Sequence, residues 1–495
     1  MDPVPDPLAL AHGLAVALYV ACQAGLVGYS AHRWQMLGGS PGPSAPPSPW
    51  WSAEGAPHVL VQLPVRDEPA VVARLVAAAA ALDWPHERLE LQLLDDSGGV
   101  AAALGAAAVA RARAAGVRVQ HLRREHCHGF KAGALAAGLA RSEAEFVAVF
   151  DADFVPAPDF LRRTLPHFAS AQVGLVQARW DHLNREASLL TRAQATMLDA
   201  HLLVEHAWRQ RAGRFLNFNG TAGVWRRACI DSAGGWSHDT LTEDLDLSYR
   251  AQLAGWRFVF DPDVRVPAEL PESMRAFRSQ QHRWAKGALQ TARKLLPRVW
   301  ASPLSFEVKA EATLHLTANI TYPLLLALAA LLVPVLLGAH TLPLGSVLGL
   351  QLAVVAGGTL PVALFLVRGQ RLAGRRARDV WRDVPPALLL CGGLSWYLAR
   401  AVAGGLWGAR GEFVRTPKTG AGPAGTARTG TPPAHAPVRA GAFEGLPELG
   451  LAGAFTVLAA WAGATQRPGA MPFLLALSAG LAWVGSATRR APPLH

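Results

Sequence analysis

The chain has 495 residues, enough for two or three ordinary domains, and its composition is divided: residues from about 55 to 310 mix charged and apolar positions, while both ends are apolar. Four cysteines, Cys22, Cys127, Cys229 and Cys391, lie far apart with no C-x-x-C pair, which argues against a disulfide framework or a zinc site and fits a reducing compartment. The net charge of +11 is gathered at the edges of apolar stretches rather than in a stripe interleaved with aromatics, so an anionic lipid surface and a diphosphate substrate explain it better than nucleic acid.

In chain order, residues 8–29 come first, an apolar stretch long enough to cross a bilayer core. The acidic start (Asp2, Asp6) lacks the positive region of a signal peptide, so 1–33 is expected to be an anchor. Residues 55–273 read as an α/β domain with a mostly parallel sheet. Predicted strands at 58–63, 89–94, 117–122 and 146–150 alternate with helices at 70–82, 100–115 and 131–140. In such sheets ligands bind beyond the carboxyl ends of the strands. Asp95 and Asp96 close the second strand, and Asp151 and Asp153 follow the fourth.

Asp151-Ala152-Asp153 places two carboxylates at period-two spacing, able to share one Mg²⁺ or Mn²⁺ that bridges the phosphates of a nucleoside diphosphate. Alone, a D-x-D also suits a solvated turn; the buried strand before it and the Asp95-Asp96 pair favour the cation. Lys131, after His128-Gly129-Phe130, opens a helix and can meet a phosphate or the nucleobase region, although a solvated lysine suits that place equally. In Thr242-Glu243-Asp244, Asp244 can deprotonate an acceptor hydroxyl during attack on an anomeric carbon. A helix N-cap explains the same three residues. Gln280-Gln281-His282-Arg283-Trp284 sits on a predicted amphipathic helix within 274–300. There Arg283 offers a planar fork to a departing diphosphate and Trp284 a face for a sugar; interfacial anchoring is the plainer use of both.

Further spans are predicted at 316–338 and 345–367, forming a pair over 316–367, and at 449–464 and 471–487, a second pair over 449–487. Arg33, the cluster Arg368, Arg371, Arg375, Arg376 and Arg378, and the pair Arg489 and Arg490 fall on one side if the amino terminus is outside and the α/β domain cytosolic. Residues 387–407 are apolar but carry Arg400 and several glycines. Crossing there would place Arg415, Lys418, Arg489 and Arg490 outside, so an interfacial or re-entrant helix is expected within the 368–445 segment, giving five spans. The tail 420–441, rich in glycine, proline and threonine, is expected to be flexible.

Taken together, these motifs resemble processive family-2 glycosyltransferases of the cellulose synthase superfamily, from about Val59 to Leu296. The wording is most similar to plant cellulose-synthase-like A mannan synthases (glucomannan 4-beta-mannosyltransferases), with the C group next. It is carried by Gln62-Leu63-Pro64, Leu94-Asp95-Asp96-Ser97, Phe130-Lys131-Ala132-Gly133-Ala134-Leu135, Phe150-Asp151-Ala152-Asp153-Phe154, Val176-Gln177-Ala178-Arg179-Trp180, Phe218-Asn219-Gly220-Thr221-Ala222-Gly223 and the Gln280 to Trp284 run.

The resemblance implies a GT-A (Rossmann-like) domain inserted between transmembrane helices, a nucleotide-sugar donor and inversion at the anomeric carbon. It implies that Asp95 and Asp96 hold the nucleotide, with Lys131 on the donor side, and that Asp151 and Asp153 hold diphosphate and metal. It makes Asp244 the base. Gln280 and Arg283 would face the diphosphate, and Trp284 and Glu243 the acceptor. Phe413 to Lys418 is similar to the F-x-V-T-x-K gating loop of cellulose synthases, which would bring Thr416 and Lys418 to the donor, with Arg415 standing in place of valine. Arg66-Asp67-Glu68 stands where Tyr-Asn-Glu is usual, so the nucleobase end is expected to differ. No PilZ-like segment is recognisable, which argues against direct cyclic-di-GMP control.

The expected protein is a multi-pass enzyme of the inner (plasma) membrane, with a cytosolic catalytic domain. It would build β-1,4-mannan or glucomannan from GDP-mannose, or a β-glucan from UDP-glucose. Single transfer to a lipid-linked acceptor is the second reading. A catalytically inactive membrane scaffold is the third, and it predicts loss of the acids, all of which are present.

Overall fold

The computed structural model describes residues 7–38, 47–52, 55–338, 355–408, 418, 420, 443–465 and 467–491. Thr416 with the rest of the 413–418 loop except Lys418, the 420–441 tail except Gly420, and the first part of the 345–367 span lie outside the described residues.

Strands β1 (Val59–Val65), β2 (Leu89–Asp95), β3 (Val119–Arg123) and β4 (Phe146–Val149) form close to where the apolar runs place them. β1, β2 and β4 are buried along nearly their whole length, as strands covered by helices on both faces must be. Helices α2 (Val72–Ala80), α3 (Gly99–Ala114) and α4 (Phe130–Leu139) make the crossovers, following the membrane helix α1 (Pro7–Leu37). α4 approaches the sheet closely. A Cβ on Gly138 would lie 2.5 Å from Gln92 Oε1 and 2.6 Å from Gln62 Nε2. The Gln62 amide nitrogen donates to Gln92 Oε1 at 3.2 Å and to the Leu135 carbonyl of α4 at 3.0 Å, and the Gln92 amide nitrogen donates to the Gly138 carbonyl at 3.0 Å, so both amide donors are satisfied where helix meets sheet.

The seven-stranded sheet has the order β3-β2-β1-β4-β6-β5-β7. It adds β5 (Val173–His182), β6 (Gly223–Arg226) and β7 (Arg257–Ala268) to the four strands above. β1 pairs in parallel with both β2 and β4, so strand order reverses at β1 and a crevice opens beyond the carboxyl ends there. The sheet is more mixed than the sequence pattern suggested. β6 runs antiparallel to both β4 and β5, while β5 and β7 are parallel. A four-residue strand leaves too short a periodicity to be seen in sequence.

Past the domain come α7 (Met274–Ala301), α8 (Phe306–Thr317) and α9 (Thr321–Leu337); earlier, α5 (Leu189–Ala200) and α6 (Glu243–Leu253) flank the sheet. α10 (Leu360–Leu372), α11 (Ala377–Gly393), α12 (Ser395–Leu406), α13 (Leu446–Ala464) and α14 (Met471–Arg490) complete the chain. Among the described residues, four helices are long and apolar enough to cross a membrane: Pro7–Leu37, Phe306–Leu337, Leu446–Ala464 and Met471–Arg490. The second begins ten residues before the predicted 316–338 span. Its first turns carry Glu307, Lys309 and Glu311, which hid its start from a hydropathy window. Residues 387–407 fall within α11 and α12, two helices bent by 50° at Leu394 rather than one straight rod.

Buried ion pairs lock the α/β domain to the membrane helices. Arg209 is 1 % exposed and meets Glu311 of α8 at 2.9 Å, and His32 of α1 contacts the same carboxylate. Asp199 of α5, fully buried, is paired with Arg185 and accepts a 3.0 Å hydrogen bond from Gln370 of α10. Charges this deep persist only with partners, so the domain and its helices have one relative placement here.

Candidate active site

A cavity of about 210 Å³ opens beyond the carboxyl ends of β1, β2 and β4 and is closed on its far side by α7. Asp96, Lys131, Asp151, Asp153, Glu243, Asp244, Gln280, Arg283, Trp284 and Lys418, separated by more than 300 positions in sequence, all line it.

At one end, Asp96 follows β2 and is clasped by Arg124, whose Nε donates to Oδ1 at 2.9 Å while Nη2 contacts Oδ2. The same guanidinium donates to the carbonyls of His128 and Phe130 at 2.8 and 2.9 Å, which sets the left-handed entry (Gly129 φ +72°, Phe130 φ +49°) into α4. That turn aims Lys131 across the cavity. Its ammonium meets Asp151 Oδ1 at 2.5 Å, donates to the Gly220 carbonyl at 2.9 Å and comes within 4.0 Å of Glu243. Burial opposes the ammonium's charge, but Asp151 and Glu243 outweigh it and hold its pKa above the usual lysine value.

Asp151 and Asp153 sit in the turn after β4, where the Asp151 N–H donates to Thr221 Oγ1 at 2.8 Å. Asp153 is 3 % exposed and meets Lys418 Nζ at 2.7 Å. Burial raises the Asp153 pKa, and Lys418 only partly offsets it. Among the described residues no group of three or more histidine, cysteine or acidic side chains could hold a metal ion alone. The donor set at this turn is two carboxylates. Hard oxygens of that kind suit Mg²⁺ or Mn²⁺ when substrate phosphates and water supply the remaining ligands.

Asp244 lies in the first turn of α6. Thr242 occupies the N-cap position, yet its side chain makes no capping bond; it packs instead against Gly287 of α7, where a Cβ would be 2.5 Å from its methyl. The Thr242 side chain therefore does not cap α6. Gly220, at φ +83°, brings its backbone so close that a Cβ would stand 2.9 Å from Asp244 Oδ2. Burial and the neighbouring Glu243 push the Asp244 carboxyl up to about 7, against the pull of Lys131. Such a value suits a group that takes up a proton near neutrality. On α7, Arg283 is driven down by burial and partly restored by Glu243, Asp151 and Asp244, the acids it faces.

One sequence-derived candidate differs in placement. Asp95 is 1 % exposed and turns away from the cavity: His121 Nε2 lies 2.8 Å from Oδ2, and the Ser97 N–H donates to Oδ1 at 2.9 Å. It shapes the loop that presents Asp96 rather than facing the space itself. Thr416 lies outside the described residues. Conversely, Glu269, just after β7, lines the cavity and is held by Arg74 at 2.6 Å. The strand-end rule that found Asp151 would have flagged Glu269, and Arg124 after β3, had β7 and the exact end of β3 been visible in sequence.

Residues 57–287 match the family described as glycosyltransferase like family 2. Over 245 residues the chain is 44% identical to glucomannan 4-beta-mannosyltransferase 2 of Arabidopsis thaliana, covering 48% of this chain and 46% of that protein. It is equally identical to glucomannan 4-beta-mannosyltransferase 1 of Oryza sativa subsp. japonica, over 48% and 47%. The chain thus spans about half the length of the curated relatives it matches. Among solved structures, the mannosyltransferase PcManGT from Pyrobaculum calidifontis, in complex with GDP-Man and Mn²⁺, superposes with a TM-score of 0.51 at 21% identity, covering 81% of this chain and 99% of that one. That likeness establishes a GT-A-like fold.

Proposed function

We propose that this chain, whose residues 57–287 match glycosyltransferase like family 2, transfers a hexose with inversion from a nucleotide sugar to a growing β-linked polysaccharide at a membrane. One observation carries the reading: Asp96, Asp151, Asp153, Asp244 and Arg283 line a single cavity at the sheet's switch point.

In this reading Asp96 and the Phe130 face take the nucleoside, and Asp151 and Asp153 take the diphosphate together with Mg²⁺ or Mn²⁺. The cation would neutralise charge developing on the leaving diphosphate. The acceptor hydroxyl attacks C1 of the donor sugar, a new C–O bond forms as the C1–O bond to the diphosphate breaks, and Asp244 accepts the hydroxyl proton. Arg283 faces the nucleoside diphosphate as it departs. Trp284 and Glu243 border the acceptor. The relatives' names favour a mannose donor and a 4-β-linked product; UDP-glucose and a β-glucan form the alternative donor and product. Placing the domain on the cytosolic side of the plasma membrane follows from the basic flanks of the spans and from where sugar nucleotides are found.

The test incubates membranes containing the protein with radiolabelled GDP-mannose and UDP-glucose separately and digests the product with linkage-specific hydrolases. Label from GDP-mannose in a polymer released by β-1,4-mannanase is expected. Label confined to a solvent-extractable lipid, or incorporation from neither donor, would overturn polymer synthesis.

A further inference from the structure

α7 serves two neighbours. One face turns Gln280, Arg283 and Trp284 to the cavity. The other packs against α12, where Gly404 and Gly405 allow the helices to approach so closely that a Cβ on Gly405 would lie 2.9 Å from the Lys286 carbonyl.

Along α7 the basic side chains are treated unequally. Arg275 and Arg278 pair with Glu444 and Glu448 at 3.4 and 2.8 Å, and Lys294 pairs with Asp239 and Asp246 at 2.8 and 2.7 Å. Between them stands Lys286, only 5 % exposed, with no hydrogen bond or ion pair to any described residue. Its ammonium lies against α12, 3.7 Å from where a Gly404 Cβ would be. One turn earlier on α7, the His282 ring packs against Tyr397 of α12 in a tilted arrangement, with ring centroids 5.3 Å apart. One turn before Gly404 on α12 is Arg400, whose side chain is exposed. Both cations act on His282: burial, then Lys286, then Arg400 push the His282 pKa down to about 4, and no carboxylate opposes them. At neutral pH His282 is therefore an uncharged ring with one N–H to donate.

Two cations and a ring donor, converging without an acid, form a site that lacks its counter-charge. The groups stand beside α13 and α14, two helices long and apolar enough to cross a membrane, whose ends reach Arg275 and Arg278 through Glu448 and Thr488. Trp407 at the end of α12 is 82 % exposed, as an aromatic at a lipid headgroup layer would be. Phosphate is the anion of that layer, and Lys and Arg recognise it by charge and by hydrogen bonds.

We infer that His282, Lys286 and Arg400 form a second anion site, distinct from the donor cavity, that binds a phosphate-bearing group between α7 and α12. A headgroup held there clamps the helix carrying Gln280, Arg283 and Trp284 to the helix that precedes Lys418. The cavity's own chemistry does not enter this assignment, so it stands or falls separately from the transferase reading.

The test uses the purified full chain and reads its thermal unfolding midpoint in nanodiscs of phosphatidylcholine, with and without phosphatidylglycerol, and in neutral detergent with and without inorganic phosphate. Wild type is expected to gain several degrees from the anion, and Lys286→Met and Arg400→Gln to lose at least half of that gain. Lys286→Met, which removes an unpartnered buried charge, is expected to melt no lower than wild type in phosphatidylcholine alone, which separates lost binding from lost folding. Arg298→Gln, on an exposed turn of the same helix, keeps the full gain. A gain from phosphatidylglycerol alone identifies a lipid headgroup, and an equal gain from inorganic phosphate identifies the free anion. No gain from either probe, or the same gain in Lys286→Met as in wild type, overturns the site.

Discussion

Replacing Asp244 with asparagine is expected to lower sugar transfer by about a thousandfold, within the range that general-base catalysis supplies, while leaving nucleotide affinity within a factor of about three. The two effects separate because Asp244 is placed at the acceptor side of the cavity, whereas the nucleotide end is built from Asp96, Arg124 and Phe130. Asparagine keeps the shape and the hydrogen bond accepted from the Leu245 N–H at 2.8 Å, so folding is preserved. It cannot take a proton. The wild-type carboxyl, pushed up to about 7 by burial and Glu243, also sets a pH dependence. The base works only when deprotonated, so the rate should fall about tenfold per pH unit below that value and level off above it. Single-turnover assays on wild type and D244N across that range, with nucleotide binding measured in parallel, check both parts. Wild-type-like output from D244N would remove Asp244 from its role.

A comparable loss is expected from Asp153→Asn, for a different reason. Asp153 is buried and its partner is the Lys418 ammonium, so it already holds a cation in the place where a diphosphate-bound metal would be shared with Asp151. Losing its charge should weaken Mn²⁺-dependent nucleotide binding by more than the about 10–100-fold that the loss of an outer-shell partner of a metal costs. Wild type in excess chelator should show the same loss of transfer, restored by adding back Mg²⁺ or Mn²⁺. Calorimetric titration of nucleoside diphosphate with and without Mn²⁺ distinguishes this from simple unfolding, because metal-independent binding should survive in Asp153→Asn. Full activity in chelator would end the metal assignment.

What could be read from the sequence follows the length of the signal. The strands carrying Asp95, Asp96 and Asp151 are continuous apolar runs flanked by alanine-rich helices, and their ends were legible to within a residue or two. β6 spans four residues and β7 alternates irregularly through Asp261, Pro262 and Asp263, so neither announced itself, and Glu269 beyond β7 went unnoticed with it. Direction was a harder matter than existence. Asp95 and Asp96 are adjacent, so one carboxylate must turn inward and the other outward, and only packing against His121 decides which. In the membrane region, Glu307, Lys309 and Glu311 masked the start of a long helix because their partners, such as Arg209 for Glu311, lie about a hundred positions away. The unpartnered Lys286 was equally invisible, since a lysine on an amphipathic helix reads as solvated until its neighbours are known.

The central claim is that one sugar nucleotide touches all of these groups at once. The most direct measurement is a structure of the full chain in lipid nanodiscs with nucleoside diphosphate and Mn²⁺. The diphosphate and cation are expected between Asp151, Asp153 and Arg283, with the nucleoside at Asp96 and open space before Asp244 for the sugar. Nucleotide density in any other cavity, or density here that leaves Asp153 and Arg283 untouched, would contradict it.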